Sequence, residues 1–287
     1  MRFIKDSRPL SFTVIFAVYA LASVFGVLTY KNLKLSWWLA LLIADAVATV
    51  VTFVFSLIFN NASVYDPYWS VQPIIILSMF AVGSKLTAFG IVLLTVVCIW
   101  GVRLTANWAY TFSNLNHQDW RYTMLKEKCG AAYPIINFIG IHMVPTLVMY
   151  LCTLPGAYVI REGVVGNVGS YLFLLLSLSA VVLQGTSDFQ MHRFRRNRTS
   201  AFIRTGLWKH SRHPNYLGEI LMWWGIALSA ISAAQDAWFL LLGALANTLL
   251  FLTVSIPLAD GRQSRKTGFE EYKSETRMLL PISKGKH

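Results

Sequence analysis

Ser36-Trp37-Trp38-Leu39-Ala40-Leu41-Leu42-Ile43-Ala44-Asp45-Ala46-Val47-Ala48-Thr49-Val50-Val51-Thr52-Phe53-Val54-Phe55-Ser56-Leu57-Ile58-Phe59 is a predominantly apolar run broken by one charge, Asp45. An α-helix rises 1.5 Å per residue, so roughly 20 such residues cross the hydrocarbon core of a bilayer. Read with the same ruler, the chain has about eight apolar stretches, at 10–30, 36–59, 69–82, 86–110, 134–158, 169–191, 216–231 and 238–257; the third is short and can begin as early as Tyr65. Composition agrees: 55% of residues are hydrophobic, 13% are charged and the mean hydropathy is +0.52, which excludes an ordinary soluble domain. The expected fold class is all-α, a polytopic transmembrane helix bundle in one integral membrane domain over 1–287, with a basic loop and a lid-like C-terminal tail.

Basic residues set the expected orientation. Arg2, Lys5 and Arg8 lead the chain, Arg193 to Arg212 fill the loop after the sixth stretch, and the tail after Pro257 is basic, so all three are expected in the cytoplasm. Lys31 and Lys34, in an outside turn, run against this pattern. The net charge of +12 has three readings: loops retained inside, contact with anionic lipid, or an anionic ligand. Nucleic acid is not expected, since no soluble module is present to bind it. Ala20-Leu21-Ala22 resembles a signal-peptidase site, but the apolar run continues to Tyr30, longer than a signal core. Cys98, Cys129 and Cys152 fit no metal or redox spacing.

Polar chemistry concentrates in a few places. Asp45 lies within a span, where a carboxylate is either structurally paired or functional. Asp66, in Val64-Tyr65-Asp66-Pro67-Tyr68-Trp69, fits a helix cap before Pro67 and equally a proton donor flanked by phenols. Trp100, Arg103, Asn107 and Tyr110 recur at helical spacing; Arg103 either snorkels to the interface or lines a ligand wall. The segment 113–132 reads as an interfacial helix, and His142 as a core residue. Gln184, Asp188, His192 and Arg195 share one helix face, forming either an internal salt bridge or the floor of a polar pocket. Then comes Gly206-Leu207-Trp208-Lys209-His210-Ser211-Arg212-His213-Pro214-Asn215-Tyr216-Leu217-Gly218-Glu219, in which Pro214 opens a helix whose unpaired backbone N–H groups suit an anion, beside Arg212, His213 and Asn215. The tail carries Arg262, Arg265 and Lys266, then Phe269-Glu270-Glu271-Tyr272 and Arg277-Met278-Leu279-Leu280-Pro281, and reads as a lid or as an anchor on anionic lipid.

The 206–219 run, the Asp188–Arg195 face and the tail together resemble the steroid 5-alpha-reductase C-terminal domain family, most closely its DUF1295 branch of integral membrane proteins. The resemblance covers the chain from Asp66 onward. It implies NADPH held by the C-terminal part, 111–287, and a flat apolar enone, steroid-like or terpenoid, enclosed by the N-terminal helices, 10–110. Hydride would pass to the β carbon while buried donors polarise the ketone oxygen. On matching positions it implies cofactor-binding roles for Arg103, Gln184, Asp188, Arg195, Asn215 and Glu219; His213 joins them from its place at the anion-binding helix start, and Arg262, Arg265 and Lys266 on charge alone. Asp66 stands where the family has its catalytic Glu, and Trp100, which has no phenol proton, where it has its catalytic Tyr. Tyr65, Tyr68 and Tyr110 are alternative donors; Asp66 with Tyr68 is the expected catalytic pair. Isoprenylcysteine carboxyl methyltransferases carry a run similar to Arg212-His213-Pro214, so a methyltransferase using S-adenosylmethionine is the rival enzyme. A lipid-binding or transport protein is the non-enzymatic one. No inverted repeat supports transport.

Overall fold

The computed structural model describes residues 2–198 and 200–281; Met1, the Arg2 side chain, Thr199 and 282–287 lie outside that description. In chain order the helices are α1 (Arg2–Asp6), α2 (Arg8–Asn32), α3 (Trp37–Ile58), α4 (Tyr68–Val82), α5 (Ala88–Thr111), α6 (Trp120–Cys129), α7 (Tyr133–Ile136), α8 (Val144–Arg161), α9 (Val168–Arg196), α10 (Pro214–Ala233), α11 (Leu242–Leu250), α12 (Ile256–Gln263) and α13 (Phe269–Glu275). Among the described residues extended pairing is confined to an isolated bridge between Ser211 and Arg277. The protein is an all-α, multi-pass membrane protein. Among the described residues seven helical stretches are long and apolar enough to cross a bilayer, against the eight or so expected. The difference is α4. It has fifteen residues, because a 3₁₀ turn at Ala62–Tyr65 delays its start and Gly83 follows its end.

The chain divides into two compact units. The first comprises the described residues up to Gly83 together with Gly101–Leu154. Here α2 and α3, joined by a short turn, pack side by side, and Ile15, Val18, Tyr19, Ala48, Val64, Tyr65, Tyr68 and Leu115 share one buried cluster. Asn61, 2% exposed, is its polar clamp. Its side chain accepts from Ser63 N at 2.8 Å and donates to the Leu115 and His117 carbonyls at 2.7 and 3.1 Å. Lys5 Nζ donates to the Phe59 carbonyl at 2.9 Å, at the C-terminal end of α3 where carbonyls lack helical partners. Between α7 and α8 the helix widens into a π turn, Asn137–Met143, and the buried His142 ring donates through Nδ1 to the Asn137 carbonyl at 2.9 Å. His142 is therefore the core residue expected, packed against Phe53 and Tyr65. The expected interfacial segment is helical over α6, with Asp119 capping it by accepting from Arg121 N at 2.9 Å.

The second unit comprises Ser84–Trp100 and the described residues from Pro155 onward. Its framework is the packing of α9 against α10. Gly218 and Gly225, two turns apart, lie against α9 so closely that an added Cβ would sit 2.8 Å from the Ala180 carbonyl oxygen and 2.7 Å from that of Phe173. Asn167 fastens the α9 N-terminus: it accepts from Ser170 N at 3.0 Å and donates to the Ser232 carbonyl at 2.6 Å. After α9, Gly206 turns the chain at φ +62°, where a side chain would also strike Gln190. The tail docks on this basic segment. Phe202, Phe269 and Tyr272 form a small core, Tyr272 donates to the Trp208 carbonyl, and Arg212 Nη1 donates to the Thr276 carbonyl at 2.6 Å.

Gly225→Leu should lower stability by about 1–3 kcal/mol or more, because the atoms in its way include backbone that cannot rotate aside. Gly261→Ala, with nothing within 4 Å of the added carbon, serves as the control and should leave the melting temperature in detergent unchanged or slightly raised.

Candidate functional site

Two polar constellations stand out, one in each unit. In the first unit α4 carries Tyr68 and Gln72 four residues apart, so both side chains emerge on one helix face. Both reach Asp45 of α3: Tyr68 Oη donates to Oδ1 at 2.7 Å and Gln72 Nε2 to Oδ2 at 2.6 Å. The Tyr68 ring stacks on Tyr65 at 5.1 Å and meets the edge of Tyr19 at 5.9 Å, while Tyr65 Oη bonds Thr146 at 2.7 Å. Those contacts fix where the phenol points. Asp45, Tyr68 and Gln72 line a largely apolar cleft, open to the outside and enclosing ≈ 50 Å³, whose other walls include Val27, Leu41, Val71, Ile75, Ile76 and Met79. Among the described residues Asp45 is the one carboxyl group on those walls. The Gln72 carbonyl oxygen is buried without a hydrogen-bond partner among the described residues.

Asp66 occupies different surroundings. Its carboxylate accepts from Tyr122 Oη at 2.6 Å, and it does not line the cavity. Nor does it cap α4, whose N-cap is Pro67 with no side-chain bond. Burial pushes its carboxyl up to about 6, against the lowering influence of the Arg121 guanidinium and the Tyr122 hydrogen bond. Asp66 and Tyr68, paired in the sequence reading, thus have separate partners. Arg103 is a half-buried residue of this unit, on α5.

In the second unit Glu219 is 5% exposed and gathers three donors. Trp100 Nε1 and Gln184 Nε2 donate to Oε2 at 2.8 and 3.0 Å, and Trp223 Nε1 donates to Oε1 at 3.1 Å. The two indoles meet edge to face at 4.9 Å. Trp100 therefore acts as a support for Glu219, a role its spacing on α5 did not disclose. One turn before Glu219, the Asn215 amide oxygen is buried and has no hydrogen-bond partner among the described residues. His213 and Arg212 are tied instead to Asp260, through Nε2 at 2.9 Å and Nη2 at 3.0 Å. Asp260 was not among the sequence candidates, and nothing in its local run distinguished it.

Cations gather around Lys266. Partial burial and then the charges of Arg198, Arg262 and Arg195 hold its ammonium below the usual lysine value. Arg195, Arg262 and Arg265 are exposed; Asp188, half-buried, follows Gln184 by one turn on α9. The unit thus joins a buried acid with fixed donors, an unpartnered amide oxygen and a basic cluster. Among the described residues no three His, Cys, Asp or Glu side chains gather as metal ligands, and Cys98, Cys129 and Cys152 form no disulfide.

The raised carboxyl of Asp66 fixes the sign of a pH effect. Folded Asp66 holds its proton more tightly than the unfolded chain, so its contribution to stability falls as pH rises from about 4 to about 6 and is flat above. The melting temperature of Asp66→Asn minus that of the wild type should grow across this window; a constant difference would contradict the assignment.

Comparison with known proteins places the chain. An uncharacterised protein of Schizosaccharomyces pombe (strain 972), C594.04c, is 24% identical over 206 residues, covering 62% of this chain and 60% of that protein. The match therefore spans about three fifths of the relative's length. No solved structure matches the chain. The family described as "Protein of unknown function (DUF1295)" matches residues 52–276, a stretch that takes in Asp66, Tyr68 and the whole Glu219 constellation. The chain belongs to the DUF1295 family.

Proposed function

We propose that this protein is a membrane reductase that uses NADPH to saturate a carbon–carbon double bond conjugated to a carbonyl, in a flat apolar substrate such as a 3-oxo-4-ene steroid or a terpenoid. The observation that carries this reading is the apolar cavity with one carboxyl–phenol pair on its wall. Such a cavity suits a hydrocarbon skeleton with a single polarisable oxygen. Tyr68 is the donor to that oxygen, and Asp45 together with the stacked Tyr65 ring sets its direction. As the β carbon is reduced, negative charge develops on the carbonyl oxygen, and a pre-oriented phenol in a water-poor site stabilises it. For Tyr68 to pass its proton to the substrate oxygen, Asp45 must enter the step in its protonated form, hand that proton to the phenol oxygen, and regain one from solvent after product leaves. Gln72 keeps the carboxyl from rotating during that exchange.

The second unit has the donor set that a dinucleotide requires. Arg195, Arg198, Arg262, Arg265 and Lys266 supply charge for phosphates, and Asn215 supplies a buried acceptor for a hydroxyl or carboxamide donor. Glu219, Gln184 and Asp188 complete the polar wall, with Trp100 and Trp223 keeping Glu219 in one rotamer. NADPH, when bound, supplies the hydride.

Purified protein should be stabilised thermally by NADPH more than by NADH, and not by S-adenosylmethionine. Arg195→Ala and Glu219→Gln should weaken that stabilisation. Tyr68→Phe should retain it while lowering turnover of an enone by about 100-fold or more. Stabilisation by the methyl donor alone would overturn the reductase in favour of a methyltransferase; stabilisation by none of the three would favour a lipid-binding role.

A further inference from the structure

A second cavity in the first unit has a much larger polar share in its lining than the first. It holds ≈ 670 Å³ of open and enclosed space between the end of α3, the 60–62 turn, Gln118, α6 and the start of the π turn. Its floor is Asn137, 3% exposed. That side chain donates weakly to Ser56 Oγ at 3.4 Å, and its Oδ1 has no partner among the described residues. Tyr133 Oη, on the same wall, is also buried without one. Two buried groups able to accept a hydrogen bond, unpartnered among the described residues and carried by side chains that line a roomy cavity, mark a place for a ligand that brings donors.

Charge narrows the ligand class. Among the described residues no carboxylate lines this cavity, and Lys126 is the one charged side chain that does. Its ammonium reaches Asn60 Oδ1 at 2.9 Å, and Asn60 is held at φ +49°, the left-handed region that Asn tolerates better than most residues. The rim is apolar: Leu57 belongs to the lining, and Ile135, beside Pro134 of the lining, is 62% exposed. We infer that this cavity binds a glycerophosphate group, with hydroxyls donating to Asn137 and Tyr133 and the phosphate paired with Lys126. The group arrives either as the headgroup of an anionic lipid or as a free phosphate ester. The inference is independent of the reductase reading, since it uses none of the residues assigned there.

Binding to the full chain in detergent is measured with three probes: dioctanoyl phosphatidylglycerol, dioctanoyl phosphatidylcholine and sn-glycerol 3-phosphate. Wild-type protein should bind the phosphatidylglycerol saturably and the phosphatidylcholine about tenfold more weakly, since the latter lacks free hydroxyls and carries a cation. Lys126→Gln, at an exposed position, should weaken phosphatidylglycerol binding by about tenfold, and Asn137→Leu by a similar factor with its helical spectrum unchanged. Equal binding of glycerol 3-phosphate with the same response to the variants supports the site and assigns it to a free ester; failure of that probe beside bound lipid supports the site and assigns it to a headgroup. Equal affinity for both lipids, or wild-type affinity in both variants, overturns it.

Discussion

A carboxyl group carried by an apolar helix has no water to solvate it, so it must bring its own hydrogen-bond donors or remain strongly unfavourable. This protein meets that demand twice, and each time the solution organises a unit. Asp45 draws Tyr68 and Gln72 onto α3 and so sets the face that α4 presents. Glu219 draws Trp100, Gln184 and Trp223 together, which joins the first half of α5, α9 and α10 around one point. Neither acid sits where simple packing would put it. Each is a polar group around which apolar surfaces are arranged.

Much of the architecture follows directly from residue order. The all-α, membrane-spanning character was plain in the length of the apolar runs, and the DUF1295 membership in the 206–219 motif and the tail. Gln184 and Glu219 were both expected in one site, and they share a hydrogen bond. The span count was less legible, because hydropathy marks 69–82 as apolar without showing that a 3₁₀ turn removes residues from its start. Asp66 illustrates the same limit: its neighbours in sequence are Tyr65 and Tyr68, but the chain bends there and a phenol from 56 residues away takes the carboxylate.

Asp45 is the instructive case, marked in the sequence as paired or functional but left without a partner. Its run carries no motif, and a lone acid in a helix says that a partner exists without saying which. The missing clue lay in α4, where Tyr68 and Gln72 stand four residues apart on a mostly apolar helix. Asp260, by contrast, left no comparable trace: its pairing with Arg212 and His213 bridges 48 and 47 positions of chain. Partners that far apart are set by tertiary path, which a single sequence does not spell out.

The π turn at Asn137–Met143 has a consequence for how this helix tolerates change in length. A π turn accommodates one residue more than the α-helical repeat. Losing a single residue there would leave a continuous regular helix whose two ends keep nearly their present orientation about the axis, because the wider turn already absorbs the extra residue's rotation. The Tyr133 side of the helix would stay in phase with the Thr146 side, while the carbonyl of Asn137 would lose the arrangement that meets the His142 ring. A one-residue deletion is thus tolerated inside the π turn and not in the regular helix on either side of it.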